Sequence, residues 1–179
     1  MMGKFMFVDN SNVWIEGMKV SAVYKGLAPD VITAGEMRLA DAAWRIDFGK
    51  LYQALNGDNV IKAFLYGSTP PANDSLWACA KVAGFEVKTF ERSYYTNREK
   101  KVDAQIAADM FEVAVDEAVK GEDEILLIAG DADYVPQIEK IKKRNIRVVV
   151  AFWDHASREL VEIADRFVSL NTLIDQISR

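Results

Sequence analysis

Four consecutive apolar residues, Ile125-Leu126-Leu127-Ile128, restrict the fold of this chain more than any other stretch. They show no polar alternation, as expected of a strand buried on both faces, and such strands belong to sheets covered by helices on both sides. The run breaks at Ala129-Gly130 and delivers two acids, Asp131 and Asp133, separated by one alanine. Tyr134, Val135 and Pro136 follow, and then a helical pattern to about Arg144. In open α/β sheets, ligands sit at the carboxyl ends of strands. Two carboxylates at such an end repel unless a cation is held there.

The other segments alternate in the same way. Phe5–Val8 predicts a first strand ending at Asp9, with a short helix over Val13–Val20. Residues 21–45 are expected to form a surface excursion with turns at Lys25–Pro29 and Thr33–Gly35. Asp47 suits the N-cap of a helix running to about Asn56. Strands are expected over Val60–Tyr66, Phe85–Phe90, Ile146–Phe152 and Phe167–Leu170. Helices are expected from Asn73 or Asp74 to Val82, over Val102–Val119, over Ser157–Asp165 and over Thr172–Ile177. Glu91–Lys101 is polar and aperiodic, hence a loop. Strands alternating with helices imply a mainly parallel sheet with helices on both faces. No linker, repeat or low-complexity segment interrupts the pattern, so a single domain over 1–179 is expected.

Composition narrows the chemistry. The 179 residues carry a net charge of −5, with 27% charged side chains. This is neither a polybasic tail nor a membrane-surface protein. The apolar run at the N-terminus is too short for a signal peptide or a membrane span, and a cytoplasmic location is expected. One cysteine, Cys79, excludes an intrachain disulfide and a cysteine-built zinc site. One histidine, His155, argues against histidine-rich metal sites and against hydrolytic triads that do not use it. The abundant reactive groups are carboxylates, which suit hard cations such as Mg²⁺ or Mn²⁺.

Acids fall at three junctions: Asp9 after the first strand, with Asn12 three residues on; Asp103 at the start of the long helix; and the Asp131/Asp133 pair. Each alone fits a cap, a turn residue or a favourable first-turn acid. Asp109 lies about 120° around its helix from Asp103. Asp165 sits at an unfavourable helix end and is expected to hold a specific hydrogen bond. Parallel strands would put Asp9 and Asp131 on one edge of the sheet, whereas the edge occupied by Asp103 depends on the path of the chain. A cation bridging these acids would serve phosphoryl chemistry.

Phe7-Val8-Asp9-Asn10-Ser11-Asn12 resembles the strand-then-Asp-x-x-Asn opening of NYN domains, a group of PIN-like nucleases. Glu99-Lys100-Lys101-Val102-Asp103, followed by Asp109-Met110, resembles the Glu-Lys-x-Val-Asp helix start of their LabA-like branch. Ala129–Tyr134 resembles that branch's Ser-Gly-Asp-x-Asp-Phe, with Ala129 in place of Ser and Tyr134 in place of Phe. Ser157, Leu160 and Ala164–Phe167 resemble its C-terminal helix and the Ala-Asp-x-Phe that follows. The motifs run in order from about Phe5 to Leu170. The resemblance implies a three-layer α/β/α PIN-like (Rossmann-like) fold and a Mg²⁺- or Mn²⁺-dependent ribonuclease. In that reading Asp9, Asp103, Asp131 and Asp133 are the catalytic, metal-binding acids. Asn12 would orient a ligand or water, and Lys101 and Ser157 would contact phosphate.

RNA, single-stranded or structured, is the expected partner; no membrane is expected, and a homodimer stays open. Arg92, Arg98, Lys100 and Lys101, interleaved with Tyr94 and Tyr95, offer cations and flat rings beside Asp103. The denser cluster at Lys140–Arg147 should lie at the opposite edge, where it complements a helix end. Trp14, Trp44, Trp77 and Trp153 read as core or interface rather than base-stacking platforms, and His155, near Ser157 in sequence, could approach the site but reads first as a surface residue. Two other readings are compatible with the residues: a PIN-like module that binds RNA or protein without cutting, and a small-molecule phosphohydrolase. A haloacid-dehalogenase version of the latter needs Asp-x-Asp at the first strand, where this chain has Asp9-Asn10-Ser11.

Overall fold

The computed structural model describes residues 2–55, 57–69, 74–91 and 100–179, with residues 69, 74, 91, 100 and 101 described by backbone alone. Among the described residues, six strands form one sheet: β1 (Gly3–Asp9), β2 (Val60–Thr69), β3 (Glu86–Glu91), β4 (Asp123–Ile128), β5 (Arg147–Phe152) and β6 (Arg166–Ser169). Their order is β3-β2-β1-β4-β5-β6, and every neighbouring pair is parallel. The expected mainly parallel sheet is thus wholly parallel.

The helices are α1 (Asn10–Tyr24), α2 (Val31–Glu36), α3 (Phe48–Ala54), α4 (Asp74–Val82), α5 (Lys100–Asp116), α6 (Val135–Lys142), α7 (Arg158–Ile163) and α8 (Ile174–Ile177). Alternate residues of each strand point to opposite sides, and two cores result. On one side Met6, Val8, Leu65, Leu126 and Val149 pack with Val13, Leu51, Trp77 and Ile177, drawn from α1, α3, α4 and α8. On the other, Phe5, Phe7, Phe64, Ile125, Leu127 and Val148 pack with Ile106, Ile138 and Leu160, drawn from α5, α6 and α7. This is the three-layer α/β/α arrangement. No helix among the described residues is long and apolar enough to cross a membrane.

Several local expectations are met for their physical reasons. Asp47 caps α3 by accepting from the amide of Lys50 at 2.9 Å. Asp165 accepts from the amide of Val148 at 2.8 Å and pairs with Lys142 at 3.1 Å, which ties the basic end of α6 to β5. Trp44, Trp77 and Trp153 are buried. The short helix expected after Asp9 is longer than its apolar pattern suggests: it runs from Asn10 to Tyr24, with Asp9 as its N-cap and Gly17 in its interior. Glycine in a helix interior costs about 1 kcal/mol relative to alanine. Here a Cβ would lie 2.6 Å from Trp44 Cη2 and 2.8 Å from Trp153 Cζ2, two rings that meet edge to face. Gly17→Ala is therefore expected to lower the urea midpoint, with a loss of roughly 1–2 kcal/mol. An alanine that stabilises would show that the indoles give way.

Candidate metal centre

β1 and β4 lie side by side, yet the chain leaves them in opposite directions across the sheet. Their carboxyl ends therefore flank the topological switch point, where open α/β sheets form their crevice. Asp9 is the last residue of β1 and is 3% exposed. Its Oδ1 accepts from the amide of Asn12 at 3.1 Å, so it caps α1. Its Oδ2 accepts from the hydroxyl of Tyr134 at 3.2 Å. Asp103, in the first turn of α5, accepts from that same hydroxyl at 3.3 Å through Oδ1. Asp103 is thus on the same edge as Asp9, which resolves the path that the sequence left open.

Asp131 follows β4 and is joined to the same end of α1. The Asn12 side chain donates from Nδ2 to Asp131 Oδ2 at 3.0 Å and accepts from the amide of Gly130 at 2.9 Å through Oδ1. Both ends of this amide are thus engaged within the protein, and Asn12 clamps α1 to the end of β4. The carbonyl of Gly130 accepts from the amide of Ser157 at 2.8 Å, which draws the start of α7 against the same turn. Ser157 meets the site through its backbone; its side chain makes no capping bond. Asp133 is exposed in the 3-10 turn Ala132–Tyr134, close enough to Asp131 to act on its charge. Arg98, Arg92, Tyr94 and Tyr95 lie outside the described residues, as do the side chains of Lys100 and Lys101.

The electrostatics record crowding of like charge. The carboxyl of Asp131 is pushed above its ordinary range, first by lost hydration, then by Asp103 and Asp133, with Glu16 adding; the Asn12 bond opposes. Burial, then the charges of Asp9 and Asp103, push the Tyr134 phenol upward. It therefore stays protonated and donates.

Two contributors escaped the sequence reading. Glu16 lies four residues after Asn12, on the same face of α1, a spacing that could have revealed it. Its carboxylate is held by Lys19 at 2.7 Å and by His155 Nε2 at 2.8 Å. Burial favours its neutral form, but the bonds from His155 and Lys19 outweigh this and lower its pKa. The lone histidine is thus tied to the rim of the site. The second is the hydroxyl of Tyr134, which the sequence marked only as a departure from phenylalanine.

The helix bearing Asp103 is fixed by a buried polar knot. Asp109, 8% exposed, accepts from Tyr66 Oη at 2.7 Å, Lys88 Nζ at 2.8 Å and Gln105 Nε2 at 2.6 Å. Desolvation would raise the pKa of this acid, yet these donors more than compensate and lower it. Tyr66 is the β2 partner of Asp9, and Lys88 the β3 partner of Tyr66. The knot therefore anchors α5 on the row of the sheet that ends in Asp9. This gives Asp109 a structural role off the face of Asp103, as its position on the helix suggests.

Among the described residues, no group of three or more His, Cys, Asp or Glu side chains stands close enough to cage an ion. The donor set nevertheless suits Mg²⁺ or Mn²⁺. It is all oxygen, it carries uncompensated repulsion at Asp131, and Mg²⁺ characteristically takes one or two carboxylates and keeps several waters. One or two of Asp9, Asp103 and Asp131 would hold it directly, and the remainder through its waters.

A model of the NYN domain matches residues 7–171. No curated protein matches the chain. Among solved structures, a protein of unknown function from Vibrio parahaemolyticus is similar over 99% of this chain and 97% of its own, with a TM-score of 0.70 and 19% identity. That likeness shows the fold.

Proposed function

This chain belongs to the NYN domain family, within the PIN-like nucleases, and from that premise we propose that it is a metal-dependent ribonuclease that cuts within RNA chains. The observation that carries the reading is that acids from β1, α5 and the β4 turn lie on one edge of the sheet at the switch point. Asp9 and Asp103 share one hydroxyl, and Asp131 feels the charge of Asp103. A bound Mg²⁺ or Mn²⁺ would supply a water of lowered pKa and would offset charge on a scissile phosphodiester.

The remaining work belongs to the protein. Asp9 and Asp103 present fixed oxygens, because β1 and the Asp109 knot hold their backbones. Asp131 offers the more accessible carboxylate, and Asn12 fixes its orientation. Asp133 and Glu16 add negative charge at the mouth, which favours a cation and demands one before a phosphate can approach. The basic and aromatic segment over 92–101 is the proposed contact for the RNA strand, with Arg98 and Lys101 on phosphate. RNA as substrate rests on the family resemblance, and the proposed cytoplasmic setting on the lone cysteine and the short N-terminal apolar run.

The test is direct. Purified protein should cleave an unstructured or hairpin RNA with Mg²⁺ or Mn²⁺, leave internal cuts, and stop when chelator is added. RNA bound with no product under any divalent ion would move the protein to the non-catalytic reading.

A further inference from the structure

We propose that the hydroxyl of Tyr134 is the brace that sets the spacing of Asp9 and Asp103 for ion binding, which makes Tyr134 a positioning residue of the centre. The inference rests on the metal-centre reading above. A phenol has one proton. A hydroxyl committed to one carboxylate would sit near 2.7–2.8 Å from it. Tyr134 instead stands 3.2 Å from Asp9 Oδ2 and 3.3 Å from Asp103 Oδ1, as a proton shared evenly between two acceptors does.

The ring behind the hydroxyl is immobile. Tyr134 is 1% exposed and packs in the core beneath α5, α6 and α7. It also belongs to the turn that presents Asp131, three residues earlier, so one rigid segment supplies one acid and orients the other two. The hydroxyl engages one oxygen of each carboxylate and leaves the other to different partners; on Asp9 that oxygen accepts the Asn12 amide. An outer donor of this kind keeps a ligating carboxylate oriented and commonly accounts for tenfold to hundredfold in metal affinity. In this reading Tyr134 would keep both hydrogen bonds with an ion present as without one.

Tyr134→Phe removes one oxygen and no ring. Its Mn²⁺ affinity, measured by calorimetry, is expected to fall about tenfold or more, while its melting temperature in chelator shows that the fold is kept. Unchanged affinity would overturn the inference, and so would tighter binding, which would mean that the hydroxyl competes with the ion. A measurement on the unaltered protein guards against a variant that fails to fold. The hydroxyl proton of Tyr134, followed by NMR, should stay protected from exchange on addition of Mg²⁺; its loss would likewise overturn the proposal. If Asp131→Asn weakens Mn²⁺ binding while Tyr134→Phe does not, only this inference falls. If the unaltered protein binds no divalent ion, the proposed function falls with it.

Discussion

Asp131→Asn should cut ion-dependent RNA cleavage by roughly 100-fold or more, because several kcal/mol of charge stabilisation leaves the site and each 1.36 kcal/mol is a factor of ten. The same change should make the ion-free protein more stable at neutral pH. The folded-state pKa of Asp131 lies above its ordinary value of 3.8. The native state therefore holds this proton more tightly than the unfolded chain, and stability falls as pH rises from about 3.8 through the raised value. Above that window the charged carboxylate destabilises the fold until a cation offsets it. Asparagine keeps an oxygen for the Asn12 donor and removes the charge. Melting curves in chelator across pH should show the mutant flat where the unaltered protein declines, and added Mn²⁺ should raise only the latter. A mutant that cleaves normally would remove Asp131 from the mechanism, whatever its stability.

Gly130→Ala should damage both fold and site. A Cβ there would run into the Phe152 ring at Cε1 and Cδ1 and lie 2.8 Å from Cζ. Phe152 is 2% exposed and has no room to retreat. Overpacking of this kind costs about 1–3 kcal/mol, or roughly 5 °C in a domain of this size. The amide and carbonyl of Gly130 also hold Asn12 and Ser157, so a shifted backbone should carry Asp131 out of place and weaken ion binding. Adding Phe152→Leu should restore much of the melting temperature. If the double mutant is no more stable than Gly130→Ala alone, the clash is not the cause.

The sequence carried most of the fold because its strands are short apolar runs separated by helical periods. Ile125–Ile128 and Ile146–Phe152 can be satisfied only inside a doubly covered sheet. The acids at the strand ends were legible for a related reason, since Asp9 and Asp131 interrupt apolar runs at places where a parallel sheet opens to ligands. What stayed hidden depends on side-chain reach. Nothing in a linear reading tells that Asn12 is fully engaged by the β4 turn, or that Glu16 faces Asp131 from the next turn of α1. The Tyr134 hydroxyl was invisible for the same reason: a residue in a buried turn reads as core, and its oxygen matters only once two carboxylates from distant segments converge on it. The position of Asp103 depended on where α5 is pinned, and that is decided by Asp109, Lys88 and Tyr66 together.

The bond from Asn12 to Asp131 spans 119 residues of chain. β1 is made before β2, β3 and α5, but its neighbour β4 comes only after them. Closing so long a loop must precede any gain from the contact, which slows folding. The centre therefore does not exist in any partly folded chain that lacks the β1–β4 pairing. A misfolded copy holds the same acids and cannot assemble them, so whatever activity this centre has is confined to molecules whose two central strands have already met.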